Sequence, residues 1–394
     1  MPASLVSSTS DDLDLLIALN ASDCITRPAL CRLSSDLDAW RRVDPSCRSA
    51  VARGAASLGV PTEPMARALA RIPEASRLAA VERRRAADAG VRIITRSCAG
   101  YPPALLDHPL PPPVLYVRGE LPEAPQVAIV GSRRMDRYGR EATELFASGL
   151  ARAGVVVVSG FALGVDQTAH RACLATEGKT VAVLGCGVDV AYPRDSRKLA
   201  DDIAARGAVV SEFPMGVEPR AWHFPVRNRV IAALSLGTLV VQAKVRSGSL
   251  ITAHLALDLG REVWAVPGEI FDVLSMGTND LIYDGAALVV SPDDILDQIG
   301  LGGARPTQHR LFEESAHPPD DGTSTSTVRP SPTVPLPQGK GGRIVEILRG
   351  HRDGFTAEAL AEALESTVDR VLALLLELEL GGWVERLPGP VYVA

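Results

Sequence analysis

Between Gln126 and Gly268 the chain carries six short apolar runs, and each one leads into Gly- or Ser-containing text: GSRRMDRYG, SGFALG, GCGVD, SEFPMG, KVRSGS and PG. Apolar runs of this length, separated by helix-sized segments, predict parallel strands buried on both faces beneath helices. In an open parallel sheet the C-terminal strand ends lie side by side. Loops there meet the N-termini of the following helices, whose free N–H groups attract anions. The repeated pattern therefore points to one phosphate-binding crevice.

The alternation sets the fold class: α/β, an extended Rossmann-like, doubly wound, mostly parallel sheet over residues 81–300. Strands are predicted to begin at Gln126, Val155, Thr180, Ala208, Thr238, Glu262 and Ala287, with helices over 140–153, 167–176, 196–206, 227–234 and 250–259. Ahead of them, helical periodicity broken by Pro28, Pro45, Pro61 and Pro73 predicts a separate bundle of short helices over residues 1–80. The stretch from Val91 to Leu121 has two β-rich runs around prolines and reads as a lead-in packed onto the central domain.

Residues 301–339 turn to Pro, Ser, Thr and Gly and read as a flexible linker. Residues 340–394 follow the order helix, helix, helix, short β-wing, a winged-helix domain. Such a domain ordinarily presents its third helix to a DNA groove. This one holds six Lys/Arg against nine Asp/Glu, with Arg370 beside Asp369, Glu377 and Glu379. Cationic side chains supply most non-specific DNA affinity, so a protein-contact or packing role is favoured over DNA reading.

With 394 residues, 46% hydrophobic and 22% charged, the chain should form two or three globular domains. Its start carries Asp11, Asp12 and Asp14 without a basic leader region, and no apolar run reaches about 18 residues, so a cytoplasmic protein without a membrane partner is expected. Six scattered cysteines without a CxxC pair support neither a disulfide framework nor a metal site, and no cofactor is expected. The net charge of −6 argues mildly against a coat of nucleic acid, but distribution matters more than the sum. Basic residues gather in the glycine-rich loops: Arg133, Arg134, Arg137 and Arg140, then Arg227 and Arg229, then Lys244 and Arg246.

Each loop has a binding reading and a bland one. In GSRRMDRYG, Gly131 allows close backbone approach, Ser132 offers a hydroxyl, and Arg133, with Arg134 beside it, can fork onto phosphate oxygens; an ordinary surface turn is the alternative. In VRSGSLITAHLAL, Ser247, Gly248 and Ser249 open a helix and can form an anion nest with Lys244 or Arg246, against a plain serine cap. In HFPVRNRVIA, Phe224 beside Arg227, Asn228 and Arg229 suits a stacked base over a held backbone, against Phe224 packing under its helix and Asn228 capping it. Gly160, Gly185 and Gly187 end two further strands in turns that do not fit GxGxxG, which disfavours a dinucleotide oxidoreductase. Asp166 and His170, four apart on one helical face, read as a cap and a structural hydrogen bond ahead of an acid/base pair. Glu212 and Glu269 have no partner nucleophile or triad spacing.

In order, GSRRMDRYG, SGFALGVDQTAH, TVAVLGCGVDVAYP, VVSEFP, HFPVRNRVIAALS, SGSLITAHLAL, AVPG and GTNDLIYDGA resemble the DNA-processing protein A (DprA, or Smf) family. The flanks fit as well, since family members often add an N-terminal helical domain similar to a sterile-alpha-motif fold and a C-terminal winged helix. The resemblance implies a non-enzymatic, homodimeric mediator that binds and protects incoming single-stranded DNA in the crevice and loads the RecA recombinase during natural transformation. By motif matching, phosphate contacts fall on Ser132 and Arg133, on Arg227 and Arg229, on Ser247, Gly248 and Ser249, and, after the YP turn, on Lys198. Many members carry an acid where this chain has Gln242. The alternative from another class is a Rossmann-like nucleotide phosphoribohydrolase binding a nucleoside monophosphate in the same crevice. That group carries PGGxGTxxE, a string this chain lacks. A transcription factor would need a basic recognition helix.

Overall fold

In the computed structural model, the described residues are 10–22, 27–35, 48–57, 62–302, 340–349, 355–364, 366–380, 384–386 and 391–393. Nearly all of the expected 301–339 linker lies outside them, as do Cys24 and Cys47. The chain divides into two units, Met1–Gln308 and His309–Ala394.

The first unit opens with α1 (Ser10–Asn20), α2 (Arg27–Ser35), α3 (Arg48–Ser57), α4 (Thr62–Leu69) and α5 (Ala75–Asp88). Leu15, Leu19, Leu30, Leu33, Met65 and Leu69 meet in a small buried core of their own. The helix α5 runs across residue 80, where the sequence places a domain boundary, and continues directly into the sheet. A second set of side chains, Leu16, Ile17, Ala79 and Ala86, packs with Val114, Tyr116 and Val209 of the sheet, so the helices and sheet share a core.

The sheet contains β1 (Val91–Thr95), β2 (Val114–Gly119), β3 (Gln126–Val130), β4 (Val156–Ser159), β5 (Thr180–Leu184), β6 (Ala208–Ser211), β7 (Gly237–Val240), β8 (Glu262–Ala265) and β9 (Ala287–Leu288). Its order is β1-β2-β6-β5-β4-β3-β7-β8-β9. All pairings from β6 to β9 are parallel, while β1 pairs with β2 and β2 with β6 antiparallel. The prolines of the lead-in thus flank an antiparallel edge of the main sheet. Between the strands run α6 (Arg137–Arg152), α7 (Val165–Ala175), α8 (Arg197–Arg206), α9 (His223–Leu234), α10 (Gly248–Asp258), α11 (Met276–Tyr283) and α12 (Pro292–Gln298).

Successive side chains of a strand point to opposite faces, and β3 shows what that does here. Val127 and Ile129 enter a core with Phe146, Leu150, Val157, Leu239 and Trp264, whereas Ala128 and Val130 enter the opposite one with Ile231, Ala253 and Ala256. Burying each large aliphatic side chain is worth about 1.5–3 kcal/mol, so both faces of the sheet must stay covered. The chain winds from β3 through β4 and β5 to β6 on one side, then returns to place β7, β8 and β9 on the other. Its direction therefore reverses beside β3, where a doubly wound sheet opens a crevice. No helix among the described residues is long and apolar enough to cross a membrane.

The second unit contains α13 (Lys340–Arg349), β10 (Phe355–Thr356), α14 (Ala357–Ala363), α15 (Val368–Leu380), β11 (Glu385–Arg386) and β12 (Val391–Val393). Its strands form a small sheet in the order β10-β12-β11. Ile344, Val345, Leu360, Val371 and Leu375 share its core.

His170 tests the packing of α7 on the sheet. Its Nδ1 donates to the Thr180 hydroxyl oxygen at 2.7 Å, and that hydroxyl donates to the Val157 carbonyl at 2.6 Å. Burial, then the Arg227 and Arg171 charges, pull its pKa from 6.5 to about 3. An unfolded chain protonates the ring below about pH 6.5 while the folded one keeps it neutral, so stability is full above that pH and falls toward pH 3. His170→Asn, which retains a donor near Nδ1, should flatten that part of the curve of melting temperature against pH. An unchanged curve would remove His170 from the acid sensitivity.

Candidate nucleic-acid interface

The loops that end β3, β4, β5 and β7 meet the N-termini of α9 and α10 around a crevice of about 720 Å³. Its lining includes Gly131, Ser132, Arg133, Arg134, Phe224, Arg227, Asn228, Lys244, Arg246, Ser247, Gly248 and Ser249. Arg133, Arg134, Lys244 and Arg246 are exposed there. A second basin of about 610 Å³ adjoins it, shares Arg133, Arg134, Tyr192 and Phe224, and adds Gly160, Gly185 and Arg194.

The GSRRMDRYG loop is fixed from two sides. The backbone N–H of Ser132 donates to the Gln242 carbonyl at 2.7 Å, and the N–H of Arg134 donates to the Ser132 hydroxyl at 3.1 Å. The buried Gln242 side chain then bridges to α6: its amide Nε2 donates to Asp136 Oδ1 at 2.9 Å, and its Oε1 accepts from the Asp136 N–H at 3.3 Å. Asp136 caps α6 by accepting from the Gly139 N–H at 2.8 Å. An amide can donate to a carboxylate where an ionised acid would repel it, which accounts for Gln242 in this chain. Gly164, at φ 84°, packs against the Ser132 carbonyl, and a Cβ there would lie 2.8 Å from Arg133 Cα. This lets the β4 loop support the arginine loop.

Arg227 and Asp166 form the crevice floor. The guanidinium is buried and donates through Nη1 to the Gly160 carbonyl at 2.5 Å and to the Val183 carbonyl, and through Nε to Asn228 Oδ1 at 3.1 Å. Burial lowers its pKa to about 10 against the opposing pull of Asp166. Asp166 accepts from the Ala162 N–H at 3.3 Å, and burial lifts its pKa to about 6 despite Arg227. That bond reaches backbone ahead of α7, whose N-terminus has no side-chain cap, so Asp166 braces the β4 loop beside Arg227 and does not cap the helix as expected. Among the described residues, no group of three or more His, Cys, Asp or Glu side chains is placed to hold a metal ion.

Phe224 is only half-buried and stands in the crevice instead of packing beneath its helix. The Arg133 and Arg227 guanidinium carbons lie 5.3 and 5.9 Å from its ring centroid, and the Tyr192 ring lies 5.7 Å away. At α10, the plain serine cap is realised: Ser247 Oγ accepts from the Ser249 N–H at 3.3 Å and sits 2.8 Å from the Ser249 hydroxyl. The cap and a crevice position coexist, because Ser247, Gly248 and Ser249 all line the cleft.

Three expected contacts fall elsewhere. Arg229 faces away from the crevice, pairing with Glu212 at 2.5 Å and the Leu110 carbonyl at 2.6 Å. On a helix, residues two apart point about 200° away from each other, so Arg227 and Arg229 cannot share one face. Lys198 is exposed on α8 but lies outside both basins; Arg194, immediately after the YP turn, lines the second one. Gly187 also lies outside, and its missing Cβ leaves space for the Pro214 carbonyl, 2.7 Å from where that atom would stand. Arg194 was legible as the basic residue nearest the turn, and Tyr192 as its aromatic.

Gly160 tests the floor directly. A Cβ there would lie 2.7 Å from both Arg227 Nη2 and Asp166 Oδ2. Gly160→Ala should therefore cost about 1–3 kcal/mol of stability in denaturant unfolding. Wild-type stability would show that the floor yields without cost.

A family model described as DNA recombination-mediator protein A matches residues 92–300, and one described as the DprA winged helix domain matches residues 329–390. Protein Smf of Escherichia coli (strain K12) is 41% identical over 296 residues, covering 73% of this chain and 74% of the relative. Protein Smf of Synechocystis sp. is 34% identical over 319 residues, covering 76% of this chain and 79% of the relative. The X-ray structure of DNA processing protein A from Streptococcus pneumoniae superposes with a TM-score of 0.62 at 33% identity, covering 74% of this chain and 99% of that one. With its sheet, crevice and winged helix in the expected order, the chain belongs to the DNA recombination-mediator protein A family.

Proposed function

We propose that the crevice holds single-stranded DNA, and that the protein acts as a recombination mediator without catalytic turnover. The observation that carries this reading is the placement of four exposed cations, Arg133, Arg134, Lys244 and Arg246, around the half-buried ring of Phe224, in a chain whose net charge is −6. A cationic groove with an aromatic platform suits a flexible strand, because phosphates meet the cations and any base has a face to stack. Base-edge readout plays no part, so sequence preference is weak.

In the cell, the same reading gives a cytoplasmic protein that protects incoming strands and loads a RecA-type recombinase during DNA uptake. Membership of a recombination-mediator family supports it, and the described free thiols Cys31, Cys98, Cys173 and Cys186 suit a reducing compartment. A second copy of the chain is the proposed partner. In support, Ile270, Phe271, Tyr283 and Val290, along the β8–β9 side of the sheet, are 74%, 91%, 92% and 64% exposed. Apolar side chains gathered on one side of a sheet mark an interaction surface where they form one contiguous patch.

Arg133→Ala with Lys244→Ala should weaken oligothymidine binding by at least about tenfold and reduce the slope of log affinity against log salt by about 1.4, two lost single-strand phosphate contacts. Unchanged binding by a folded double variant would remove the crevice from the account. Phe271→Arg should leave a monomer in sedimentation and abolish the affinity gain of strands long enough for two crevices. A dimer with that gain intact would place the partner surface elsewhere.

A further inference from the structure

The SEFPMG segment stands out in the sequence as one of the strand ends of the binding edge, yet its residues turn inward. The contacts of the N-terminal helices converge on it. Asn20 Nδ2 donates to the Glu212 carbonyl at 3.1 Å, and Glu82 Oε1 accepts from the Met215 N–H at 2.9 Å. Arg27 donates to the Asn20 carbonyl at 3.1 Å and holds its guanidinium carbon 5.3 Å from the Phe213 ring centroid. From there the contacts pass to α9. Phe213 stacks on His223 with centroids 4.1 Å apart, and His223 Nδ1 donates to the Gly185 carbonyl at 2.9 Å. Arg229 completes the junction through Glu212 and Leu110, with Cys31 Sγ of α2 at 3.9 Å.

The Arg229 and Glu212 side chains are 12% and 2% exposed. Burial alone would lower the Arg229 pKa, but the Glu212 carboxylate beside it more than offsets this. A buried ion pair of this kind adds little stability over well-packed apolar side chains of equal volume. What it can add is a single geometry. Here that geometry concerns rotation of α9 about its own axis. Arg227 pins one side of the helix to the Gly160 and Val183 carbonyls, and Arg229 pins the opposite side to Glu212 and Leu110. With both in place, Phe224, Arg227 and Asn228 face the crevice at a fixed angle.

We infer that Arg229 is a positioning residue for the crevice: through Glu212 it seats α9 on the N-terminal helices, which thereby support strand binding without touching the strand. This rests on the single-stranded DNA reading above. Arg229 is charged yet outside the crevice, so two readouts separate positioning from contact. Losing a phosphate contact lowers both affinity and salt slope, whereas losing alignment lowers affinity alone.

The test uses the full chain and a fluorescent oligothymidine, with anisotropy measured across a salt series and folding checked by thermal unfolding. Arg229→Met should bind about tenfold more weakly with an unchanged salt slope. Arg229→Lys, which retains a charge for Glu212, should recover most of the loss, and Glu212→Gln should weaken binding in the same sense as Arg229→Met. A folded Arg229→Met with wild-type affinity overturns the inference, as does a slope reduced by about 0.7, the mark of one lost phosphate contact. If Arg229→Met does not fold, Glu212→Gln decides: wild-type affinity in that folded variant overturns the inference. Absence of binding by the wild-type protein is a different failure, of the single-stranded DNA reading itself, and it shows before any variant is compared.

Discussion

The crevice depends on one buried guanidinium. Arg227 lies beneath the cleft and bonds to the carbonyls of Gly160, at the end of β4, and Val183, in β5, while its own helix α9 forms the opposite wall. A buried charge without such partners would be strongly destabilising, so the two strands and the helix are constrained to meet where the guanidinium can be satisfied. Asp166 compensates the charge from the first turn of α7, and Gly160 leaves room for both groups. With the floor neutralised from within, the exposed cations of the rim are left available to a ligand.

The rim and floor consequently use arginine in two ways. Arg133 and Arg134 are exposed on a loop held by backbone bonds and by Gln242, and their side chains reach over the cleft. Arg227 and Arg229 spend their donors on carbonyls and a carboxylate inside the protein. On the proposed reading a flexible polyanion is served by the first kind, whose electrostatic grip is salt-sensitive. On the same reading the second kind sets the angle at which Phe224 faces the cleft. The ring, with the Arg133 guanidinium over it and Tyr192 beside it, stands at the junction of the two basins.

The parallel part of the fold was legible because buried strands must be apolar on both faces, and QVAIV, TVAVL and VVVS can be little else. The lead-in was harder. Its prolines hid the fact that Val91–Thr95 and Val114–Gly119 pair antiparallel and extend the sheet, and only the partner strand β6 reveals this. The helix Met276–Tyr283 carries Gly277 and Asn279, weak helix formers, and escaped the periodicity for that reason. At the site, loop residues such as Arg133, Lys244 and Ser247 were found from composition, since a glycine-rich strand end has few uses. Arg229 was misplaced because adjacency in RNR was read as adjacency in space, although helical geometry separates the two arginines. Lys198 stands exposed on α8 outside both basins, while Arg194 of the same turn lines one.

On the proposed reading, a cationic cleft on a net acidic protein selects flexible single strands. Fluorescence anisotropy of the full chain with oligothymidine and with a matched duplex, across a salt series, tests it most directly. The account predicts tighter binding of the single strand, an affinity that falls steeply with salt, and little dependence on base sequence. Equal affinity for strand and duplex, or binding insensitive to salt, would contradict it.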